Sequence, residues 1–267
     1  MIYIFGDSWG FSYKQVAPQT PLRDAQVFDG KDLACLMSVM SNVQVYNLAR
    51  RGMDLNSIVS RITKVKEIFT PEDTIIVLQT DPFRSYFVNW WNGDKVLYPD
   101  LGIDSPMTLE DVCEQKILEV FYRKLVVLQK MLNVKIILHG GLSKLDHKRA
   151  TDMGLTCTEY TSTEVVAKYL GKEFQDSYFL AGDYTVANHE YLEKHYEQYI
   201  KGQDISEIVK STDAKNQFWA DNPEYFTFNH TTEKGSKIVA EYLCNFLKTN
   251  GAFETVKNVV NLEWNTD

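Results

Sequence analysis

The sequence of 267 residues has little of what marks several common classes of protein. It contains four cysteines, at positions Cys35, Cys113, Cys157 and Cys244, and no C-x-x-C pair among them. Zinc sites and disulfide-rich scaffolds both use closely spaced cysteines, so this spacing supports neither. Two disulfides remain arithmetically open, but four buried thiols are the simpler interpretation and are what we predict.

Long apolar runs and blocks of like charge are also missing. No stretch approaches the 18 apolar residues typical of a membrane-spanning helix, so none is predicted. The 36 acidic and 28 basic residues give a net charge of −8 without a basic stripe, so nucleic acid is not an expected partner. The chain opens on the strand-like segment 1–5 and not on a signal peptide, which predicts a soluble protein folded in a reducing cytoplasm.

What the sequence does contain is an alternation of strand and helix patterns. Short apolar runs rich in β-branched residues predict buried strands at Ile2–Phe5, Val43–Leu48, Thr74–Leu78 and Val134–His139. Helical periodicity runs from Asp54 to about Phe69, from Val112 to about Leu132, and onward from a cap at Thr231 or Thr232. The alternation predicts an α/β fold, a three-layer α/β/α sandwich with a flavodoxin-like, mostly parallel, doubly wound sheet.

We predict one domain over residues 1–267, interrupted by two insertions at about 85–108 and 142–223. Both follow strand ends, where open α/β sheets place their sites, so they could form a lid or substrate cap. Decorative loops or a contact surface for a protein partner are equally open, as is docking of the tail from about residue 252. Trp90 and Trp91 in the first insertion could stack on a sugar ring or fill a hydrophobic gap.

The strongest local signal is Gly6-Asp7-Ser8-Trp9-Gly10, directly after the first predicted strand. A serine at a sharp strand-to-helix turn presents its hydroxyl at the sheet edge, near backbone N–H groups that can stabilise an oxyanion. Glycines on both sides permit a tight backbone. By itself a G-x-S-x-G string is weak, because glycine and serine are common in ordinary turns.

The order of motifs along the chain strengthens this signal. Gly-Asp-Ser follows the first strand, Asn47-Leu48-Ala49-Arg50-Arg51-Gly52 follows the second, Leu78-Gln79-Thr80-Asp81-Pro82-Phe83-Arg84 follows the third, and His230 precedes the last helix. In this order the chain resembles the SGNH (GDSL) hydrolase superfamily over its whole framework, although about thirty residues carry the likeness. The form Thr-Asp-Pro-Phe-Arg is similar to that of divergent SGNH-like proteins of tailed phages.

The resemblance implies a serine hydrolase with Ser8 as the nucleophile and His230 as its base. A serine hydroxyl is a poor nucleophile until a base takes its proton, which is why such sites pair serine with histidine. His139, which ends a predicted strand, is the second choice for the base. The oxyanion would be held by the backbone N–H groups of Ser8 and Gly52, with a side-chain donor from Thr80.

Three positions depart from the family pattern. Thr227 stands where the family has the aspartate that orients the histidine, and it cannot balance the charge of an imidazolium. Asp221, or Glu224, is near enough in sequence to act as the acid partner. Thr80 aligns with the family's asparagine if Asp81 keeps the family's aspartate position; an aspartate in the asparagine position would repel the oxyanion. Leu78 replaces a glycine, with less consequence for chemistry.

These residues predict an esterase or deacetylase that acts on a small ester or acylated carbohydrate through a covalent acyl-enzyme, without cofactor or metal. The alternative is a catalytically weak or inactive SGNH-like module that binds a ligand or has a structural role. The intact Gly-Asp-Ser and the placement of His230 favour the enzyme, whereas Thr227 favours the alternative. The phage resemblance adds the expectation of a phage-encoded protein, with a virion as an open location.

Overall fold

A computed structural model of the chain describes residues 1–11, 13–15, 26–28, 31–50, 53–80, 117–141, 143–176, 214–227 and 230–251. Side chains are described in these ranges except in 13–15 and 26–28 and at Ile117. The predicted insertion at 85–108 and the tail from residue 252 lie outside the described residues, as do Gly52, Asp81 and Cys113.

The described elements alternate between strands and helices along the chain. In order they are β1 (Ile2–Phe5), a 3-10 turn (Ser8–Gly10), β2 (Tyr13–Gln15), β3 (Gln26–Phe28), α1 (Leu33–Ser41), β4 (Val45–Asn47), α2 (Leu55–Lys64), a second 3-10 turn (Lys66–Ile68), β5 (Thr74–Gln79), α3 (Ile117–Leu132), β6 (Lys135–Gly140), α4 (His147–Asp152), β7 (Thr156–Cys157), α5 (Ser162–Tyr169), α6 (214–220), β8 (Phe226–Thr227), β9 (His230–Thr231) and α7 (Glu233–Thr249).

Five of the strands form one parallel sheet in the order β4–β1–β5–β6–β7. Each neighbouring pair is parallel, and Ile4 of β1 lies opposite Asn47 on one side and Ile76 on the other. From β1 the chain crosses first to β4 and then back past β1 to β5. The winding direction therefore reverses beside β1, and open α/β sheets place their ligands at the carboxyl edge of such a switch point.

The sheet is covered on both faces, which explains the nearly continuous apolar strands. All six residues of β5 are buried, as expected for a strand between two helical layers. Ile75 and Val77 pack in one core with α2, α3 and α4, whereas Ile76 and Leu78 pack in the other with α1, α5 and α7. The predicted three-layer α/β/α fold with a parallel doubly wound sheet is confirmed.

The first part of the segment predicted as the second insertion packs against the sheet. Residues 143–170 belong to the framework, because β7 pairs with β6 at the sheet edge and Val165 and Val166 of α5 are fully buried in the core. A strand of two residues has too short a pattern to be seen in sequence. The capping box of Thr161 and Glu164, which starts α5, was the available signal.

Three of the four cysteines are described, and each is a free thiol. Cys157 and Cys244 are buried as predicted, whereas Cys35 in α1 is exposed, so the prediction of a buried thiol is wrong there. Burial raises the pKa of the Cys157 and Cys244 thiols to about 12, because a thiolate would lose its hydration there. Both therefore stay protonated at neutral pH and serve as small apolar groups of the core.

His139, the second choice for the base, is enclosed in the framework. Its Nδ1 lies 2.8 Å from the Thr158 hydroxyl and its Nε2 lies 3.0 Å from the Ser162 hydroxyl. The ring has no exposed surface, and burial lowers the pKa of His139 to about 3 because a charged imidazolium would be desolvated. His139 is thus a neutral ring that joins β6 to α5.

This burial predicts acid sensitivity. Below pH 6.5, the ordinary pKa of histidine, His139 is protonated in the unfolded chain but stays neutral in the folded chain. The free energy of unfolding therefore falls as pH drops towards about 3. The expected loss from this one group is about 1.4 kcal/mol per pH unit. Urea unfolding at pH 7, 6 and 5 measures it. Glutamine at position 139 cannot titrate, so the free energy of unfolding of His139→Gln should depend less on pH. The same pH dependence in the variant and the wild type would show that His139 is not a buried neutral ring in the folded protein.

Candidate active site

Ser8 is presented by a short 3-10 turn at the carboxyl end of β1. The turn spans Ser8–Gly10, and Asp7 caps it by accepting a hydrogen bond from the backbone N–H of Trp9 at 3.0 Å. The second carboxylate oxygen of Asp7 accepts a hydrogen bond from the Thr80 hydroxyl at 2.8 Å. Asp7 is fully buried, so it holds the serine turn against the end of β5.

Both glycines of the motif lie where the backbone passes very close to neighbouring strands. A Cβ built on Gly6 would come within 2.7 Å of the Leu78 Cβ, and one on Gly10 within 2.7 Å of the Ala49 Cβ. These separations are well inside van der Waals contact, so a side chain at either position would push the turn away from the sheet. Glycine at both positions thus allows Ser8 to lie directly on the sheet edge.

Asn47, at the end of β4, also stabilises the turn that carries Ser8 by hydrogen bonding. Its Nδ2 donates to the Gly10 carbonyl oxygen at 3.0 Å and to the Asp32 carboxylate at 2.8 Å, while its Oδ1 accepts from the Ala49 N–H at 3.0 Å. Asp32 is also the N-cap of α1. One amide therefore links the serine turn, the exit of β4 and the start of α1.

His230 reaches the site from the far end of the chain on a two-strand hairpin. In this hairpin β8 and β9 are antiparallel, with Thr227 opposite His230. The next residue but one, Thr232, caps α7 by accepting from the Gly235 N–H at 3.3 Å. Gly235 packs so tightly that a Cβ there would lie 2.2 Å from the Tyr225 carbonyl oxygen. The start of α7 thereby fixes the hairpin that carries the imidazole.

The two ends of the chain meet at this point. His230 Nε2 lies 2.7 Å from Ser8 Oγ, across 222 residues of sequence. This is hydrogen-bond distance between a hydroxyl and a ring nitrogen. Ser8 is 7% exposed and His230 is 9% exposed, so the pair is shielded from bulk water without being sealed. A neutral imidazole with the proton on Nδ1 could accept the serine proton through Nε2.

The predicted acid partners lie elsewhere. Asp221 is exposed and its carboxylate accepts a hydrogen bond from the Gln217 amide at 2.7 Å. Glu224 is exposed and pairs with Lys234, and that ammonium group lowers the pKa of the Glu224 carboxyl. None of the described contacts of these two carboxylates joins them to His230. The residue beside His230 in the hairpin is Thr227, which is 3% exposed.

Of the predicted oxyanion donors, Ser8 and Thr80 are described. Both lie at the carboxyl edge of the sheet, after the adjacent strands β1 and β5. The Thr80 hydroxyl donates to Asp7, so it would have to rotate away from that carboxylate to serve an oxyanion. The oxyanion roles of Ser8, Gly52 and Thr80 remain predictions.

The described ranges show neither a metal-binding cluster nor a membrane-spanning helix. They contain no group of three histidine, cysteine, aspartate or glutamate residues that could hold a metal ion. None of their helices combines the length and apolar character needed to cross a bilayer.

Comparison with known proteins gives distant structural likenesses alone. No protein-family model matches the chain, and no curated protein matches it. The chain is similar to an acetyl xylan esterase, Est2A, of the rumen bacterium Butyrivibrio proteoclasticus, with 14% identity and a TM-score of 0.46 over 94% of this chain and 64% of that one. It is similar to the YXIM protein of Bacillus subtilis, with 14% identity and a TM-score of 0.40 over 94% of this chain and 56% of that one.

A third similar structure is a carbohydrate esterase whose active site is described as having divergent catalytic and non-catalytic binding functions. It has 11% identity and a TM-score of 0.43, covering 94% of this chain and 69% of that one. The chain spans less than two thirds of the length of the first two proteins. At these scores the likenesses carry no argument about activity, and the phage resemblance stays a prediction that these three structures do not test.

Two residues of the site have roles that sequence reasoning missed. Asn47 entered the sequence prediction only as part of a motif, although a polar residue at the end of the edge strand β4, beside the switch point, was the signal. Trp9 was recognised only as the variable position of the serine motif. Its indole ring stacks on the imidazole of His230, with ring centroids 6.4 Å apart and planes 24° from parallel.

Proposed function

We propose that the chain is a serine hydrolase, an esterase or deacetylase that forms a covalent acyl-enzyme on Ser8. The observation that carries the proposal is the 2.7 Å distance between Ser8 Oγ and His230 Nε2 at the carboxyl edge of a parallel sheet. Nucleophile and base within hydrogen-bond reach are the minimum arrangement for this chemistry. The Gly-Asp-Ser turn and the order of motifs along the chain support the same reaction.

The proposed reaction begins with attack of Ser8 Oγ on the ester carbonyl carbon while His230 Nε2 takes the hydroxyl proton. The tetrahedral intermediate then collapses, the bond from carbonyl carbon to leaving oxygen breaks, and His230 returns the proton to the departing alcohol. Water next attacks the acyl group on Ser8, again with His230 as base, and releases the acid. The same imidazole thus acts as base and acid in both halves.

The negative charge on the carbonyl oxygen needs hydrogen-bond donors during both halves. The backbone N–H of Ser8 in the capped turn is one candidate, with the N–H of Gly52 and the Thr80 hydroxyl as the other predicted donors. Preorganised donors of this kind contribute as much to rate as any single group in acyl transfer. Thr227 beside His230 supplies no charge for the imidazolium, so we expect turnover below that of a complete triad.

The proposed substrates are small esters or acylated carbohydrates. A small acyl group fits the low exposure of Ser8 and His230, each less than one tenth exposed. The likeness in fold to an acetyl xylan esterase fits this class but supplies no argument for it, and Trp90 and Trp91 remain the predicted carbohydrate contacts. Acetic acid released from acetylated xylan, compared with that from a longer acyl ester, would test the preference directly.

A fluorophosphonate activity probe tests the nucleophile. The folded wild-type protein is expected to become labelled at Ser8, because the probe phosphonylates serines that a base has activated, with loss of fluoride. Labelling should disappear in Ser8→Ala. Intact-protein mass spectrometry and peptide mapping give the stoichiometry and the position of the label.

The chain offers a matched control for this experiment. Ser162 also lies beside a histidine, with its Oγ 3.0 Å from His139 Nε2, but both residues are buried in the framework. Ser162→Ala should keep full labelling at Ser8. A folded wild-type protein that takes no label would reject the hydrolase and leave the SGNH-like binding or structural module.

A further inference from the structure

Trp9 occupies a special place beside the proposed catalytic pair. It is 3% exposed and contacts two aromatic groups, the imidazole of His230 and the indole of Trp219, whose ring centre lies 5.5 Å from its own. Its contact with His230 is an offset stack, with centroids 6.4 Å apart. This is within the range in which aromatic rings attract each other by their quadrupoles.

Among the described residues, the indole of Trp9 is an unsatisfied hydrogen-bond donor in the protein interior, which lowers the stability of the fold. In the described part of the chain, the buried Nε1–H of Trp9 has no hydrogen-bond partner. An unsatisfied buried donor destabilises a fold, and such exceptions concentrate at functional sites. Trp219, the neighbouring tryptophan, is satisfied by donating to the Thr163 hydroxyl at 3.3 Å. Phenylalanine at position 9 would fill most of the same space and would leave no N–H donor unsatisfied. We therefore attribute the benefit of tryptophan to its ring face.

We propose that Trp9 is a positioning residue for His230, whose indole face orients the imidazole and stabilises its protonated form. The inference rests on the proposed function, in which His230 becomes an imidazolium each time Ser8 is acylated or released. The face of an indole is the strongest aromatic acceptor of a cation. Thr227, which lies opposite His230, carries no charge, and the indole face of Trp9 adds a contact that favours the imidazolium.

Charged groups near this stack have partners of their own in the described structure. Asp7 is engaged by the Trp9 N–H and the Thr80 hydroxyl. Lys215 is buried 5.7 Å from the centre of the Trp219 ring and forms an ion pair of 2.5 Å with Asp176. The charge of Lys215 is balanced by that of Asp176. A change of the Trp9 ring therefore acts on His230 without removing a charged partner.

Nuclear magnetic resonance titration of the His230 ring provides a test that needs no turnover. Trp9→Leu is expected to lower the pKa of His230 by about half a unit, because it removes the aromatic face beside the imidazolium. Trp9→Phe is expected to lower it by less, because phenylalanine keeps a weaker aromatic face. The acid limb of the kcat/KM profile should move the same way. In Trp9→Leu, kcat at its pH plateau should fall several-fold with little change in KM, and Trp9→Phe should recover much of it.

Trp219→Phe is the matched control, because it makes the same change at the tryptophan that contacts Trp9, and no ring contact between Trp219 and His230 is described. It should leave the pKa of His230 unchanged, even though it loses the hydrogen bond to Thr163. Equal His230 pKa values in the wild type and both folded Trp9 variants would overturn the inference. If the ordered shifts appear but Ser8 takes no fluorophosphonate label, Trp9 positions His230 as proposed and it is the hydrolase that fails.

Discussion

Alanine at position 230 is expected to lower kcat/KM for p-nitrophenyl acetate by about 10³-fold. General-base catalysis by a positioned side chain contributes roughly 10² to 10⁴ in rate, and His230 would supply it in both halves of the reaction. The 2.7 Å contact with Ser8 Oγ makes His230 the group that the hydroxyl proton must reach. Initial rates of p-nitrophenol release, with protein concentrations matched by absorbance, measure the loss.

The control for this prediction is His147→Ala. His147 is an exposed residue at the start of α4, so the substitution removes the same side chain without touching the site. Activity there should remain at the wild-type level. A His230→Ala protein that stays folded and loses less than about tenfold would contradict the assignment of His230 as base.

The double variant Ser8→Ala with His230→Ala sharpens the same prediction. Residues that act as one unit do not lose their contributions additively, because removing the nucleophile leaves the base nothing to activate. The double variant should therefore retain about the activity of Ser8→Ala alone. Independent losses that multiply would mean that the two side chains act in separate steps, despite their contact.

Much of the framework could be predicted because its strands are long and apolar. Thr74–Gln79 and Lys135–Gly140 are six residues each and almost wholly buried, so composition alone marks them. The helix Leu33–Ser41 was missed because its sequence, Leu-Ala-Cys-Leu-Met-Ser-Val-Met-Ser, is apolar on most sides and shows little helical periodicity. The aspartate that caps it, Asp32, was the signal to use.

The site divides in the same way between local and tertiary information. Ser8 could be predicted because a strand followed by Gly-Asp-Ser is a contiguous pattern, and His230 because its position before the last helix repeats a known order. Asp221 was selected as acid partner by proximity in sequence, but it lies on the surface with Gln217. The stacking of Trp9 on His230 joins residues 221 positions apart, and no local pattern reports such a contact.

Thr227→Asp is expected to raise kcat for p-nitrophenyl acetate by about 10- to 100-fold. Thr227 lies directly opposite His230 in the β8–β9 hairpin. A carboxylate there could accept a hydrogen bond from the Nδ1–H of His230, hold the tautomer that leaves Nε2 free for Ser8, and balance the charge of the imidazolium. Loss of this carboxylate from a complete triad lowers kcat about 10⁴-fold. A smaller gain is expected here because the new carboxylate would be buried, with Thr227 at 3% exposure.

Thr227→Asn separates charge from shape, since asparagine has nearly the geometry of aspartate without its charge. It should gain little or nothing over the wild type, and it should differ from Thr227→Asp most at pH values where the carboxylate is ionised. A folded Thr227→Asp protein with no more activity than Thr227→Asn would show that His230 is not limited by the absent charge.

Combining Thr227→Asp with Trp9→Leu joins the two positions in one measurement. Trp9 and a carboxylate at position 227 would stabilise the same imidazolium from different directions, one by its ring face and the other by charge. Contributions to one group are expected to couple, so the aspartate should raise kcat by a larger factor in the Trp9→Leu background than in the wild type. Equal factors in the two backgrounds would mean that the indole packs beside His230 without supporting its charge.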